Sequence, residues 1–369
     1  MATDFPSEIL LPQKTIFKKG SSLQIAEEAL EFGAEGLVVH GNSLEKSGKK
    51  KEIINKFSSS AKVETFCRGT GEPTLDEIPA VIEKAKKIKA KWVVGIGGGS
   101  VLDLAKAAAG LFNAKERASY YQEGGTLKER GIPFIAVPTT AGTGSEATPN
   151  AVIINKEKKA KLSIRDNNFL ARKVILDADL LKGTPVPVKA FAGMDAFVQA
   201  YEAYTSRNST WFSDSFALKA IELIDKNILQ ACEMENEESL SALLLGSYLA
   251  GIAFATARLG VIHGIAHPLG VLYGMSHGLV CSACFIPSLK VNKEMIGKKY
   301  DIMSGAIGMD LIKRVEALLK TLNISVPFKG KRLIEREKII EETLASGSTA
   351  ANPKKITAGD IEFILAELF

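Results

Sequence analysis

The chain is poor in the residues that most often advertise chemistry. Its 369 residues include four histidines, four cysteines and two tryptophans, and aromatics make up 7%. So few cysteines exclude a disulfide-stapled scaffold. Cys67 and Cys232 stand alone. The Cys281-Ser-Ala-Cys284 pair lies in an apolar stretch with no second CxxC. It reads as buried free thiols in a reducing cytosol rather than as a redox or zinc pair. Excess charge is lacking too: 47 Lys and Arg against 42 Asp and Glu leave a net +5. The densest basic runs, at 46–51, 84–91 and 156–161, are interrupted or flanked by acids and carry few aromatics, which argues against a nucleic-acid partner. No apolar run reads as long enough to cross a bilayer. The first residues lack the basic and apolar regions of a secretory signal. A cytoplasmic protein that engages neither membrane nor nucleic acid is therefore expected.

What is present is an ordinary globular balance, 46% apolar and 24% charged, at a length that favours two domains. Strand patterns at 36–40, 91–96 and 132–137 alternate with helical patterns at 75–89 and 100–111. That alternation predicts a parallel sheet with helices on both faces. Further strands are expected at 151–154 and 173–176, with a polar turn between them. Past Gly183-Thr-Pro-Val-Pro187 the periodicity turns helical, over 190–205, 213–233, 237–258, 309–322, 333–345 and 358–368. The punctuation marks a boundary between an α/β nucleotide-binding domain, 1–183, and an all-α domain, 184–369.

Three of the four histidines, His263, His267 and His277, fall within fifteen residues. Imidazole is the commonest nitrogen ligand for transition metals. His263 and His267 share one helical face, and His277 follows a glycine-containing break. Asp195 and Gln199, four apart, likewise share a face and both offer oxygen. One carboxylate with nitrogen donors suits a divalent iron or zinc ion with an open position. Two loops follow strands in the first half. In the first, Gly97, Gly98 and Gly99 let the backbone approach a ligand, amides at the helix start attract phosphate, and Ser100 is expected to cap the helix. The second, 137–148, crowds in five hydroxyls, among them Thr139, Thr140, Thr143 and Ser145, as in a nucleotide crevice.

Together these segments resemble the iron-containing (group III) alcohol dehydrogenase family. The matching pieces are Gly97-Gly-Gly-Ser-Val-Leu-Asp-Leu-Ala-Lys106, Pro138-Thr-Thr-Ala-Gly-Thr-Gly-Ser-Glu146, Gly193-Met-Asp-Ala-Phe-Val198, His263-Gly-Ile-Ala-His-Pro-Leu-Gly270 and His277-Gly278. The resemblance spans essentially the whole chain. It implies a Rossmann-like N-terminal domain with a parallel sheet, a helical C-terminal domain (the architecture shared with dehydroquinate synthase) and an active site in the cleft between them. It implies metal ligands at Asp195, His263 and His277, with a fourth at position 199, where Gln199 replaces the family's usual histidine and weakens the donor set. His267 corresponds to a histidine near substrate and nicotinamide, and is a candidate to relay the hydroxyl proton. The implied chemistry is hydride transfer between NADP or NAD and a small alcohol or aldehyde on a Lewis-acidic metal, in a homodimer. Asp103 and Lys161 join the implied cofactor set.

Gly41, Asn42 and Ser43 follow the second strand, where NAD-specific enzymes tend to place an acid for the ribose. They are uncharged here. In the family that the chain resembles, a Gly/Ser-rich sequence at this position goes with NADP use, so the resemblance implies NADP over NAD. The other reading is an ordinary turn. Phe197, Phe254 and Leu259 either line an apolar pocket or belong to the core. Two rival readings stand beside this one. Gln199 keeps open a metal-independent reductase of the maleylacetate reductase kind. A non-catalytic nucleotide sensor would need none of Asp195, His263, His267 and His277.

Overall fold

The computed structural model describes residues 5–158 and 160–369. Residues 1–4 of the N-terminal segment read above for a leader, and Lys159 of the third basic run, lie outside the described residues. The chain divides into two compact units, one of Leu10–Gly183 and one of Thr184–Phe369. Residues 5–9 belong to the second unit and not to the α/β unit, because the Phe5 ring packs edge-on against Trp211 at 6.2 Å.

The first unit is built on a parallel sheet. Its strands are β1 (Lys14–Phe17), β2 (Glu35–Gly41), β3 (Lys62–Arg68), β4 (Trp92–Gly97) and β5 (Phe134–Pro138). A hairpin of β6 (Asn150–Asn155) and β7 (Ala160–Arg165) precedes β8 (Lys173–Leu176). The sheet order is β1-β8-β5-β4-β2-β3. Residues 151–154 form a strand as expected, and it pairs antiparallel with β7 in a ribbon separate from the parallel sheet. Turn residues 156–158 follow β6, and its whole length, Asn150–Asn155, pairs with β7. The core is apolar on both faces of the central strands, with Val38, Trp92, Val94, Ile96, Ile135, Val137 and Ile175 buried on one face and Leu37, Val39, Val93, Phe134, Ala136 and Val174 on the other. Such continuous burial is why these strands read as uninterrupted apolar runs. The chain steps from β2 outward to β3 and then returns to the other side of β2 for β4. That reversal makes the carboxyl ends of β2 and β4 a topological switch point, where open α/β sheets bind ligands.

The second unit is helical. Its main helices are Val186–Thr205, Trp211–Glu233, Glu237–Ala257, Val261–Tyr273, His277–Ile307, Leu311–Thr321, Arg336–Ala345 and Ala358–Leu368. The Glu237–Ala257 helix corrects one expectation, since it is long and apolar enough by composition to cross a membrane. It packs against Trp211–Glu233 and Val186–Thr205 with Leu240, Leu243, Leu244, Ala250 and Ala253 buried. Burial of most of its length, 61% of the apolar window, accounts for so apolar a helix without a bilayer.

Candidate metal centre and nucleotide loops

The Val186–Thr205 helix carries Asp195, Gln199 and Glu202, spaced so that they line one face. The Val261–Tyr273 helix brings His263 and His267, and the His277–Ile307 helix brings His277 and Cys281 in its first turns. Gly278 lets these helices meet, because a Cβ there would collide with the Phe191 backbone carbonyl. The result is one cluster in which Asp195, His263 and Cys281 are buried and His277 is half-buried. Asp195 Oδ1 lies 3.5 Å from His263 Nε2 and 3.7 Å from His277 Nε2. Cys281 Sγ lies 3.5 Å from His277 Nε2, and one donor atom from each of these four residues falls within 4.8 Å of all the others.

Glu202 organises the cluster. Its Oε1 accepts the Ile262 N–H at 2.6 Å, so it caps the start of the His263 helix, where an anion is favourable. Its Oε2 lies 2.6 Å from His263 Nδ1. A carboxylate can only accept, so the Nδ1 proton points at Glu202 and the Nε2 lone pair points into the cluster. Gln199 Nε2 donates to Asp195 Oδ2 at 2.9 Å, which leaves Oδ1 to face the histidines. Asp195 Oδ1, Gln199 Oε1 and His263 Nε2 are all buried with no hydrogen-bond partner. Burial pushes the Cys281 thiol up to about 12.

These residues fit a divalent ion. Nitrogen and oxygen donors at about 2.0–2.1 Å in tetrahedral array lie about 3.3 Å from one another, close to the spacings of Asp195 with both histidines. Buried acceptors without a donor are what a cation satisfies. His267 lies outside the donor group. It is half-buried, with its ring stacked on His277 at 5.3 Å. Phe197 is core, packed on Phe285 at 5.7 Å, while Phe254 and Leu259 are half-buried.

In the α/β unit, His40 pairs with Ile96, so Gly41–Ser43 and the glycine loop lie at the neighbouring ends of β2 and β4. Gly41 precedes the short Asn42–Lys46 helix at φ −91°, and Asn42 Oδ1 accepts from Cys67 Sγ at 3.0 Å. The helix after the glycine loop is Gly99–Gly110 with Gly98 as its cap residue. Ser100 therefore sits inside the first turn and does not cap, contrary to the expectation above. A Cβ on Gly99 would lie 2.5 Å from the Thr143 side chain, and one on Gly98 would lie 3.2 Å from Thr140 Oγ1. The missing side chains thus let the two loops close on each other. The Thr139 N–H donates to the Gly97 carbonyl at 3.0 Å.

Ser145 donates to Asp103 at 2.6 Å, and Asp103 also accepts the Val152 N–H at 3.1 Å. Lys161 pairs with Glu72 at 2.9 Å on the hairpin. The buried Lys106 ammonium binds the carbonyls of Ser145, Thr148 and Asn150 and so fixes the second loop. Burial pulls its pKa down to about 8 and pushes that of neighbouring Glu146 up to about 7.

Sequence reasoning assigned no role to Glu202, Lys106 or Cys281. The first had a signal in its place seven residues after Asp195 on the same helical face.

Residues 12–178 match the iron-containing alcohol dehydrogenase family, and residues 189–369 match the C-terminal domain of the Fe-containing alcohol dehydrogenase family. The chain is 28% identical over 374 residues to lactaldehyde reductase of Escherichia coli (strain K12), covering 96% of this chain and 97% of the relative. It is 31% identical over 336 residues to alcohol dehydrogenase 4 of Saccharomyces cerevisiae, covering 88% and 87%. The structure of sulfoacetaldehyde reductase from Bifidobacterium kashiwanohense in complex with NAD+ superposes with a TM-score of 0.91 at 27% identity, covering 98% of each chain. The chain belongs to the iron-containing alcohol dehydrogenase family.

Proposed function

We propose that Asp195, His263 and His277, with Gln199 beside them, hold the divalent ion on which this chain interconverts a small alcohol and its aldehyde. The chain is a metal-dependent, NAD(P)-linked alcohol dehydrogenase or aldehyde reductase of its family. The observation that carries the site assignment is the pair of buried, unpartnered acceptors, Asp195 Oδ1 and His263 Nε2, 3.5 Å apart. A divalent ion supplies Lewis acidity toward the substrate oxygen when bound, and the nicotinamide gives or takes the hydride. Glu202 holds the proton on His263 Nδ1 and keeps Nε2 free to bind. Gln199 holds Asp195 by one oxygen and presents the other. His267, half-buried against His277, takes and returns the hydroxyl proton.

Gly97–Ser100, with Asp103, and Thr139, Thr140, Thr143 and Ser145 form the loops that receive the cofactor phosphates. Gly41–Ser43 receives the adenosine ribose, and its lack of charge supports NADP over NAD. Relatives named for lactaldehyde and sulfoacetaldehyde support a short functionalised aldehyde as substrate. The buried Asp195 Oδ1 and His263 Nε2, neither with a hydrogen-bond partner, weigh against the metal-independent and sensor readings, neither of which uses them. A cytoplasmic homodimer without nucleic-acid or membrane partners completes the proposal, and light scattering of the purified protein checks the dimer. The test of the site is His263→Ala. This variant should lose both bound metal and NAD(P)H-dependent aldehyde reduction. Stoichiometric metal with near-normal turnover would refute the assignment.

A further inference from the structure

We propose that Cys281 is the fourth metal ligand of this chain, its thiolate standing in for the imidazole missing at position 199. The proposal rests on the metal-centre reading above. Four observations carry it. Cys281 is fully buried, one helical turn beyond His277 on the same face. Its sulfur lies 3.5 Å from His277 Nε2, and its donor atom shares the 4.8 Å cluster with Asp195, His263 and His277. Sulfur at about 2.3 Å and nitrogen at about 2.05 Å from one tetrahedral ion lie about 3.6 Å apart, so the sulfur already stands at coordinating distance. Finally, the buried Asp195 Oδ1 and His263 Nε2 have no hydrogen-bond partner, so what the thiol faces is an unsatisfied donor set and not a packed core.

The role of Gln199 then changes. Its amide donates to Asp195 Oδ2, which makes it a positioning residue that fixes which carboxylate oxygen faces the ion. Cys284, the other half of the CxxC, is outside the donor group, so the pair is not a chelating motif. It contributes one sulfur only. As the ion binds, the Cys281 S–H bond breaks, a sulfur–metal bond forms and the proton leaves to solvent, with no change of oxidation state. Two anionic ligands, Asp195 and Cys281, cancel the charge of a divalent ion where one aspartate and three imidazoles would leave it at +1. A soft thiolate also favours zinc over iron relative to a histidine in that place.

X-ray absorption on the full-length protein, stripped of metal and reloaded with zinc, tests this without reference to turnover. The expected first shell contains one sulfur at about 2.3 Å beside nitrogen and oxygen at about 2.0–2.1 Å. Cys281→Ser should lose the sulfur, whereas Cys284→Ser and Gln199→Ala should keep it. A zinc-loaded wild type with nitrogen and oxygen alone overturns the Cys281 assignment and leaves the metal centre standing. Failure of the wild type to take up stoichiometric zinc or iron overturns the metal centre, and this assignment with it. The wild-type spectrum decides the question even if Cys281→Ser does not fold.

Discussion

Glu202 is the residue whose loss should disturb the metal centre most without removing a ligand. It is 2% exposed and accepts two hydrogen bonds at 2.6 Å, from the Ile262 N–H and from His263 Nδ1. Both partners are donors. Glu202→Gln preserves the shape but offers one acceptor and one donor, so one of the two contacts must become donor against donor. If the mismatch falls on Ile262, a buried N–H at a helix start is left unpaired, at a cost of about 1–3 kcal/mol. If it falls on His263, the ring moves its proton to Nε2 and withdraws the metal-binding lone pair. Loss of such an outer partner typically weakens metal affinity about 10- to 100-fold, or roughly 1.4–2.7 kcal/mol. The assay is competition for zinc against a chromophoric chelator, with thermal unfolding of the metal-free protein alongside. The variant should show a raised metal dissociation constant or a lowered Tm of the apo form. Both quantities at wild-type values would refute the claim that Glu202 sets the His263 tautomer.

Two further predictions address the α/β unit. Gly41 has ordinary φ, and a Cβ there would sit 3.4 Å from Val101 Cγ2, so an aspartate fits without backbone strain. Gly41→Asp should weaken NADP relative to NAD by about 1–3 kcal/mol, the scale of close charge interactions, and an unchanged ratio of the two dissociation constants would place the ribose elsewhere. Glu146 is 1% exposed and burial pushes its pKa from 4.5 up to about 7. The folded state thus holds a proton that the unfolded state releases between those values. Its contribution is fully present below about pH 4.5 and is lost as pH rises through 7. Glu146→Gln, permanently neutral, should match wild-type stability near pH 4.5 and exceed it above pH 7 by up to about 3 kcal/mol at roughly 1.4 kcal/mol per pH unit. Denaturant unfolding across that range reads the gap, and a gap that does not widen with pH removes the explanation.

The legible parts of the fold are those where burial is uniform. β2, β4, β5 and β8 read directly from sequence because their central residues are buried on both faces. β1 and β3 did not, since they are edge strands with mostly exposed or half-buried residues such as Lys14 and Glu64. The long His277–Ile307 helix was hidden by Pro287 within it and by a non-helical Gly297 where two helical stretches join. In the site, His263, His277 and Asp195 were visible through their type and spacing. Glu202 was not, because its partners sit on a helix sixty residues away in sequence. Cys281 read as an inert thiol because Leu279, Val280 and Phe285 around it are apolar. Only the packing of three helices shows what its sulfur faces.

The most direct test of the account is exhaustive chelation followed by readdition of metal, reading NAD(P)H consumption with a panel of short aldehydes. The donor set of Asp195, His263 and His277 predicts that chelation abolishes consumption and that stoichiometric iron(II) or zinc restores it. Undiminished consumption by protein shown to be metal-free would contradict the central claim and favour a metal-independent reductase on the same fold.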